Sequence, residues 1–202
     1  MINTIIHDVD GVLKDWLGGF CRWMQKQGYM MHGRPGHGHC YEMEKLFPGI
    51  ASHRMVALIE QYNASPAFEH LDDVIGALDG VEELYRRFPG IEHVAITAAG
   101  THPHTLMYRA SHILDFGIER AHILPMRADK TPFFKLYPGA IVIEDSLSAL
   151  HQARAAGCIP ICIRYSYNDG WDGFAVDSWS EIPDLVERLL GVALAEPEGV
   201  AA

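Results

Sequence analysis

Five short apolar runs, at residues 2–7, 92–97, 122–126, 140–143 and 159–163, constrain this chain more than any other feature. Each is continuous rather than alternating, which suits a strand buried on both faces. Between them the apolar positions fall at helical spacing. Residues 80–88 are amphipathic and stop at Pro89-Gly90, residues 102–116 and 147–156 read as helices, and residues 180–190 read as an amphipathic C-terminal helix. Lys130 to Tyr137 reads as a further short helix. Strands alternating with helices predict an α/β fold, a parallel sheet of about five strands covered by helices on both faces.

The alternation breaks once, just after the first strand. Lys14 to Gly28 carries Trp16, Leu17, Phe20, Trp23 and Met24 at helical spacing. Residues 41–47 and 53–62 read as short helices, and Ser65-Pro66 as a helix start. The expected division is a discontinuous core, residues 1–14 and 79–202, with a small helical cap, residues 15–78, inserted after the first strand. The loop between the first two cap helices holds His32, His37, His39 and Cys40, whose spacing fits no zinc pattern. The tail from about Ala195 is expected to be disordered.

In a covered parallel sheet, ligands bind beyond the carboxyl ends of the strands. The polar residues just past those ends are Asp8 and Asp10 after the first run, Thr97 at the second, Asp129 and Lys130 after the third, and Glu144 and Asp145 after the fourth. Residues i and i+2 of a strand point the same way, so Asp8 and Asp10 leave it together. Gly11 lets the chain turn sharply behind them. One carboxylate of such a pair can attack an electrophile while the other handles protons, and a cation between them relieves their repulsion. Two solvated aspartates at a strand end would also write Asp-x-Asp; four strand ends feeding one rim favour a site.

Charge narrows the partners. Lys and Arg number 16 against 26 Asp and Glu, a formal charge of −10, which argues against a nucleic-acid polymer or an anionic membrane as partner. An anionic small molecule remains admissible because a bound divalent cation reverses the local sign. The four cysteines form no C-x-x-C pair, and Cys158 and Cys162 sit at an apolar run, as buried thiols do. There is no run of 18 apolar residues and no signal-peptide pattern, so the expectation is a reduced, soluble, cytoplasmic protein.

Asp8-x-Asp10-Gly11-Val12-Leu13, Thr97, Lys130 and Glu144-Asp145 together resemble the four motifs of the haloacid dehalogenase-like phosphohydrolase superfamily. The likeness runs over essentially the whole chain and implies a Rossmann-like core with a cap inserted after the first motif. Within that superfamily the chain is most similar to the 5′(3′)-deoxyribonucleotidases, through the stretch from Asp8 to Trp16, Gly18-Gly19-Phe20, and Asp129-Lys130-Thr131. Two departures stand out: Thr97 is followed by Ala98 where the family usually has serine, and Glu144 stands where aspartate is frequent.

The resemblance implies a Mg²⁺-dependent phosphomonoesterase that works through an aspartyl-phosphate. Asp8 is then the nucleophile and Asp10 the acid and base. Thr97, the Ala98 backbone N–H and Lys130 bind the phosphoryl group. Asp8, Asp145 and the Asp10 carbonyl ligate the metal, with Glu144 on a metal-bound water or behind the ligands. Trp16 and Phe20, four apart on one helix face, either pack the cap or wall the pocket and stack on a base. The implied substrate is a small phosphorylated metabolite, a nucleoside monophosphate first. A sugar-phosphate phosphatase or phosphomutase, or a non-catalytic phosphate-binding protein of the same fold, are the alternatives. A homodimer is compatible with the sequence, which carries no motif for oligomeric state.

Overall fold

The computed structural model describes residues 2–32 and 43–195. His37, His39 and Cys40, and the tail beyond residue 195, lie outside the described residues. One parallel sheet forms the centre. Its strands are β1 (Thr4–His7), β2 (Glu92–Thr97), β3 (Arg120–Ile123), β4 (Ile141–Glu144), β5 (Ile159–Ile163) and β6 (Phe174–Val176), in the order β3-β2-β1-β4-β5-β6. The five expected strands are present. The third begins at Arg120 rather than His122, because the edge of the sheet tolerates exposed residues there. The sixth, β6, has only three residues at the far edge, too few to show a pattern.

Helices α1 (Trp16–Lys26), α2 (Met43–Leu46), α3 (Ser52–Asn63) and α4 (Pro66–Glu69) separate β1 from α5 (Ala77–Arg87). Helices α6 (Pro103–Leu114), α7 (Thr131–Phe134) and α8 (Leu147–Ala155) follow β2, β3 and β4, and α9 (Ile182–Ala195) closes the described chain. Consecutive strand residues feed opposite faces. Ile5, Ala95, Ile141 and Ile161 pack with Val81, Leu84 and Val186 of α5 and α9. Ile6, Val94, Ile96 and Val142 pack with Phe134 and Ala153 of α7 and α8. This two-sided burial is why the strands read as unbroken apolar runs.

The residues of α1 to α4 build a third cluster, rich in aromatics: Phe20, Trp23, Phe47, Tyr62 and Phe68, joined by Met24, Met55 and Leu58. Gly19 permits it, since a Cβ there would lie 2.3 Å from the Tyr62 hydroxyl and 2.5 Å from Leu71. The helix starts later than its apolar spacing suggests. Asp15 is the N-cap, its side chain accepting from the Gly18 N–H at 2.9 Å. Lys14 stays outside, its buried ammonium 2.7 Å from Asp73 and 3.0 Å from Asp115. Among the described residues no helix is long and apolar enough to cross a membrane. Cys21, Cys158 and Cys162 are buried, and burial raises the Cys158 thiol to about 11.

Behind the site, a pair of buried histidines spans β1 and β2. His7 Nε2 and His93 Nδ1 are 3.0 Å apart, and the Tyr85 ring stacks on His93 at 4.0 Å. His7 Nδ1 and His93 Nε2 have no hydrogen-bond partner among the described residues. Burial lowers His93 to about 4, and burial with the neighbouring His93 lowers His7. Between pH 6.5 and 4 these histidines therefore take up protons in the unfolded chain that they refuse in the native one, and their contribution to stability is lost as pH falls. The expected loss is on the order of 2 kcal/mol for His93 alone over that window. Urea unfolding at pH 7.5 and 5 checks it: His93→Phe should flatten the acid limb, and an unchanged slope would rule the histidine out as its source.

Candidate active site

The strand order reverses at β1, with β2 on one side and β4 on the other. The carboxyl ends of these three strands therefore meet at a switch point. The Asp8 N–H donates to the Ile143 carbonyl at 3.0 Å, setting Asp8 beside the end of β4. Asp8, Asp10, Thr97, Ala98, Lys130 and Asp145 all line one cavity of about 650 Å³. Gly11 carries φ +75°, and a Cβ there would come within 2.1 Å of Asp145 Oδ2, so the turn behind the aspartates has room for nothing larger than glycine.

Three buried carboxylates crowd this floor. Asp8, Glu144 and Asp145 each offer an oxygen within 4.8 Å of the others. Burial, and then the charge of Asp8, hold Glu144 and Asp145 above the ordinary carboxylate range. Lys130 is the counter-charge, its Nζ 2.7 Å from Glu144 Oε2 and 3.0 Å from Asp8 Oδ1. Burial alone would lower the Lys130 pKa, but Asp8 and Glu144 outweigh it and raise the value. Glu144 is fully engaged, because its other oxygen accepts from the Asp145 and Ser146 N–H groups at 3.1 and 3.0 Å. That arrangement makes it the anchor of Lys130.

Among the described residues Asp145 Oδ1 is buried without a hydrogen-bond partner, and Asp8 Oδ1 faces the Lys130 ammonium at 3.0 Å. Hard oxygen donors gathered in this way fit a small divalent cation such as Mg²⁺. Thr97 Oγ1 is likewise buried with no hydrogen-bond partner among the described residues, a donor available to a phosphoryl oxygen. Asp129, by contrast, is exposed and caps the Thr131 N–H at 2.9 Å instead of facing the cavity.

The opposite wall comes from α1 to α3 and is apolar: Trp16, Leu17, Met43, Met55, Val56 and Ile59. Trp16 is held in place, its Nε1 donating to Asn63 Oδ1 at 2.8 Å, while Asn63 Nδ2 donates to the Ala99 carbonyl at 3.1 Å. Phe20 does not wall the cavity. It is fully buried, stacked behind Trp16 with ring centroids 5.1 Å apart, because one helical turn carries it into the aromatic cluster.

Other residues complete the site, Tyr167-Asn168 among them, a pair that resembles a late Tyr-Asn of the haloacid dehalogenase-like family. Asn168 Nδ2 donates to the Asp145 and Ile163 carbonyls, both at 2.8 Å, and fixes the loop after β4. The Tyr167 hydroxyl donates to Asp145 Oδ2, and the Tyr165 hydroxyl donates to the Gly11 carbonyl at 2.9 Å. Arg109 of α6 is fully buried with its Nη2 2.5 Å from Asp10 Oδ1. Burial raises the Asp10 carboxyl and Arg109 opposes it. Arg127, at the cavity wall, is the one non-glycine residue with positive φ among those described, at 63°.

No protein-family profile matches the chain, and no curated protein matches it. Solved structures do. A haloacid dehalogenase-like family hydrolase from Streptococcus pneumoniae is similar at TM-score 0.61 and 15% identity, over 92% of this chain and 98% of that one. CbbY from Rhodobacter sphaeroides, in complex with phosphate, is similar at TM-score 0.55 and 21% identity, over 90% of this chain and 96% of its own. A mutant of that protein in complex with xylulose-1,5-bisphosphate matches at TM-score 0.55 and 20% identity, with the same coverage of 90% and 96%. The fold is that of the haloacid dehalogenase superfamily.

Proposed function

We propose that the chain is a Mg²⁺-dependent phosphomonoesterase acting on a nucleoside monophosphate through an aspartyl-phosphate. The observation that carries the reading is the convergence of Asp8, Asp10, Thr97, Lys130 and Asp145 on one cavity floor, with an Asp145 oxygen buried and without a hydrogen-bond partner among the described residues. Residues 15–78 act in this reading as a cap over a core of residues 1–14 and 79–202; the separate aromatic cluster of α1 to α4 supports that division.

Asp8 attacks phosphorus in line, and the bond to the leaving oxygen breaks as the Asp8–phosphorus bond forms. Asp10 gives its proton to the departing alcohol, then takes one from the water that hydrolyses the intermediate. Thr97 Oγ1, the Ala98 N–H and Lys130 Nζ hold the transferring oxygens, and Lys130 offsets the repulsion between Asp8 and the phosphate. Asp8 and Asp145, with the Asp10 carbonyl, would hold Mg²⁺, which when bound neutralises phosphate charge. Glu144 keeps Lys130 in place.

The apolar wall supports a flat leaving group. Trp16, pinned by Asn63, lines the cavity among apolar side chains, an arrangement suited to stacking on a base. A second reading has one observation in its favour. Arg127 at the cavity wall could pair with a second anionic group, and CbbY of the same fold binds a sugar bisphosphate. Phosphate release from ribo- and deoxyribonucleoside 5′- and 3′-monophosphates and from sugar phosphates, with Mg²⁺ and with EDTA, tests the proposal. Turnover strongest on nucleotides and lost in EDTA is expected. Preference for sugar phosphates would overturn the nucleotide assignment, and metal-independent release would overturn the mechanism.

Trp16→Ala discriminates further. Base stacking is worth about 1–3 kcal/mol, so KM for a nucleotide should rise roughly ten- to hundredfold. A small phosphate ester without a base should be affected much less. An equal rise for both would remove the stacking role.

A further inference from the structure

We infer that Arg109 is the positioning residue of Asp10, fixing one carboxylate oxygen so that the other faces the leaving group. The inference rests on the phosphoryl-transfer reading above. Arg109 has no exposed surface, and the Phe68 ring of α4 covers its guanidinium at 4.8 Å. Only Nη2 is engaged, by Asp10 Oδ1 at 2.5 Å. Nε and Nη1 are buried with no hydrogen-bond partner among the described residues.

A buried arginine that served stability would have its donors matched. Each unmet donor is a desolvation cost left uncompensated, and an apolar side chain of similar volume would carry no such cost. What the guanidinium gains is a fixed Asp10. Asp10 Oδ2 has no hydrogen bond among the described residues, and the side chain is 31% exposed at the cavity. With Oδ1 accepting from Arg109, a proton on this carboxyl sits on Oδ2.

The step balances as follows. As an Asp8 oxygen bonds to phosphorus and the bond to the leaving oxygen breaks, the Oδ2 proton passes to that oxygen and the alcohol departs. In the second half a water oxygen bonds to phosphorus, the Asp8–phosphorus bond breaks, and the water's proton returns to Oδ2. Arg109 exchanges no proton. It fixes the donor, as a third group fixes the base in other nucleophile–base pairs.

The test compares an alkyl ester, a nucleoside monophosphate, with p-nitrophenyl phosphate, whose phenolate leaves without needing a proton. Arg109→Met should lower kcat on the alkyl ester roughly 10²-fold with KM little changed, the range of a lost general acid, and lower kcat on p-nitrophenyl phosphate several-fold less. Arg109→Lys should recover part of the loss. Adding Arg109→Met to Asp10→Asn should cost little beyond Asp10→Asn alone, since residues acting as a unit are not additive. Equal losses on both esters, or additive losses in the double variant, would overturn the inference. If Arg109→Met does not fold, the same comparison on Arg109→Lys decides. A wild type that releases phosphate from neither ester refutes the phosphatase reading and this one with it; an active wild type with no leaving-group dependence in the variants refutes this one alone.

Discussion

Asparagine in place of Asp8 is expected to reduce phosphate release by roughly 10⁴–10⁶-fold, as removal of a nucleophile does elsewhere. The substitution is nearly isosteric, and Asp8 is anchored through its backbone N–H to the Ile143 carbonyl, so the strand end should keep its place. Lys130 keeps Glu144 as a partner at 2.7 Å. What disappears is the nucleophile and one of three carboxylates gathered within 4.8 Å. In metal-free buffer the variant should melt no lower than wild type, and relief of like-charge repulsion favours a higher midpoint. Acid-quenched wild type should carry a phosphoryl group on Asp8 that the variant lacks. Release within tenfold of wild type would remove Asp8 from the nucleophile's role, whatever the melting curve.

The residues of this floor were legible because buried parallel strands write themselves as apolar runs, and the polar residue that ends a run marks the rim. Asp8, Thr97 and Asp145 follow from that rule with their neighbours Asp10 and Lys130. Arg109 does not. It occupies one position of a helix with other polar residues, and it is buried where α4 lays Phe68 over it, a contact 41 positions away in the chain. Tyr165, Tyr167 and Asn168 lie in an irregular segment with no period to read. Trp16 and Phe20 share a helix face, and spacing alone cannot say that the first reaches the cavity while the second lies behind it. Lys14 looks like the opening of a helix, yet Asp73 and Asp115 draw its ammonium inward.

Lys130 separates the chemistry of the floor from its stability. Methionine there keeps the buried methylenes and removes the ammonium between Asp8 and Glu144. Breaking a buried ion pair from one side typically costs about 3–5 kcal/mol, because the remaining charges have no partner. Part of that cost is escaped by protonation. Burial and the charge of Asp8 already hold Glu144 above its ordinary range, and losing Lys130 removes the group that opposes them. A carboxyl whose folded pKa exceeds its unfolded value binds more protons when native, so stability falls as pH rises through that window. Lys130→Met should therefore be destabilised most at pH 8 and recover toward pH 5. Adding Glu144→Gln should restore much of the stability, since one stranded charge is then gone. It should not restore turnover, because the phosphoryl oxygens still lack a cation worth about 10²–10³ in rate. Urea midpoints at both pH values, with phosphate release on the same samples, read the two effects apart. A Lys130→Met protein as stable and as active as wild type at pH 8 would mean that the ammonium neither balances these carboxylates nor meets the substrate.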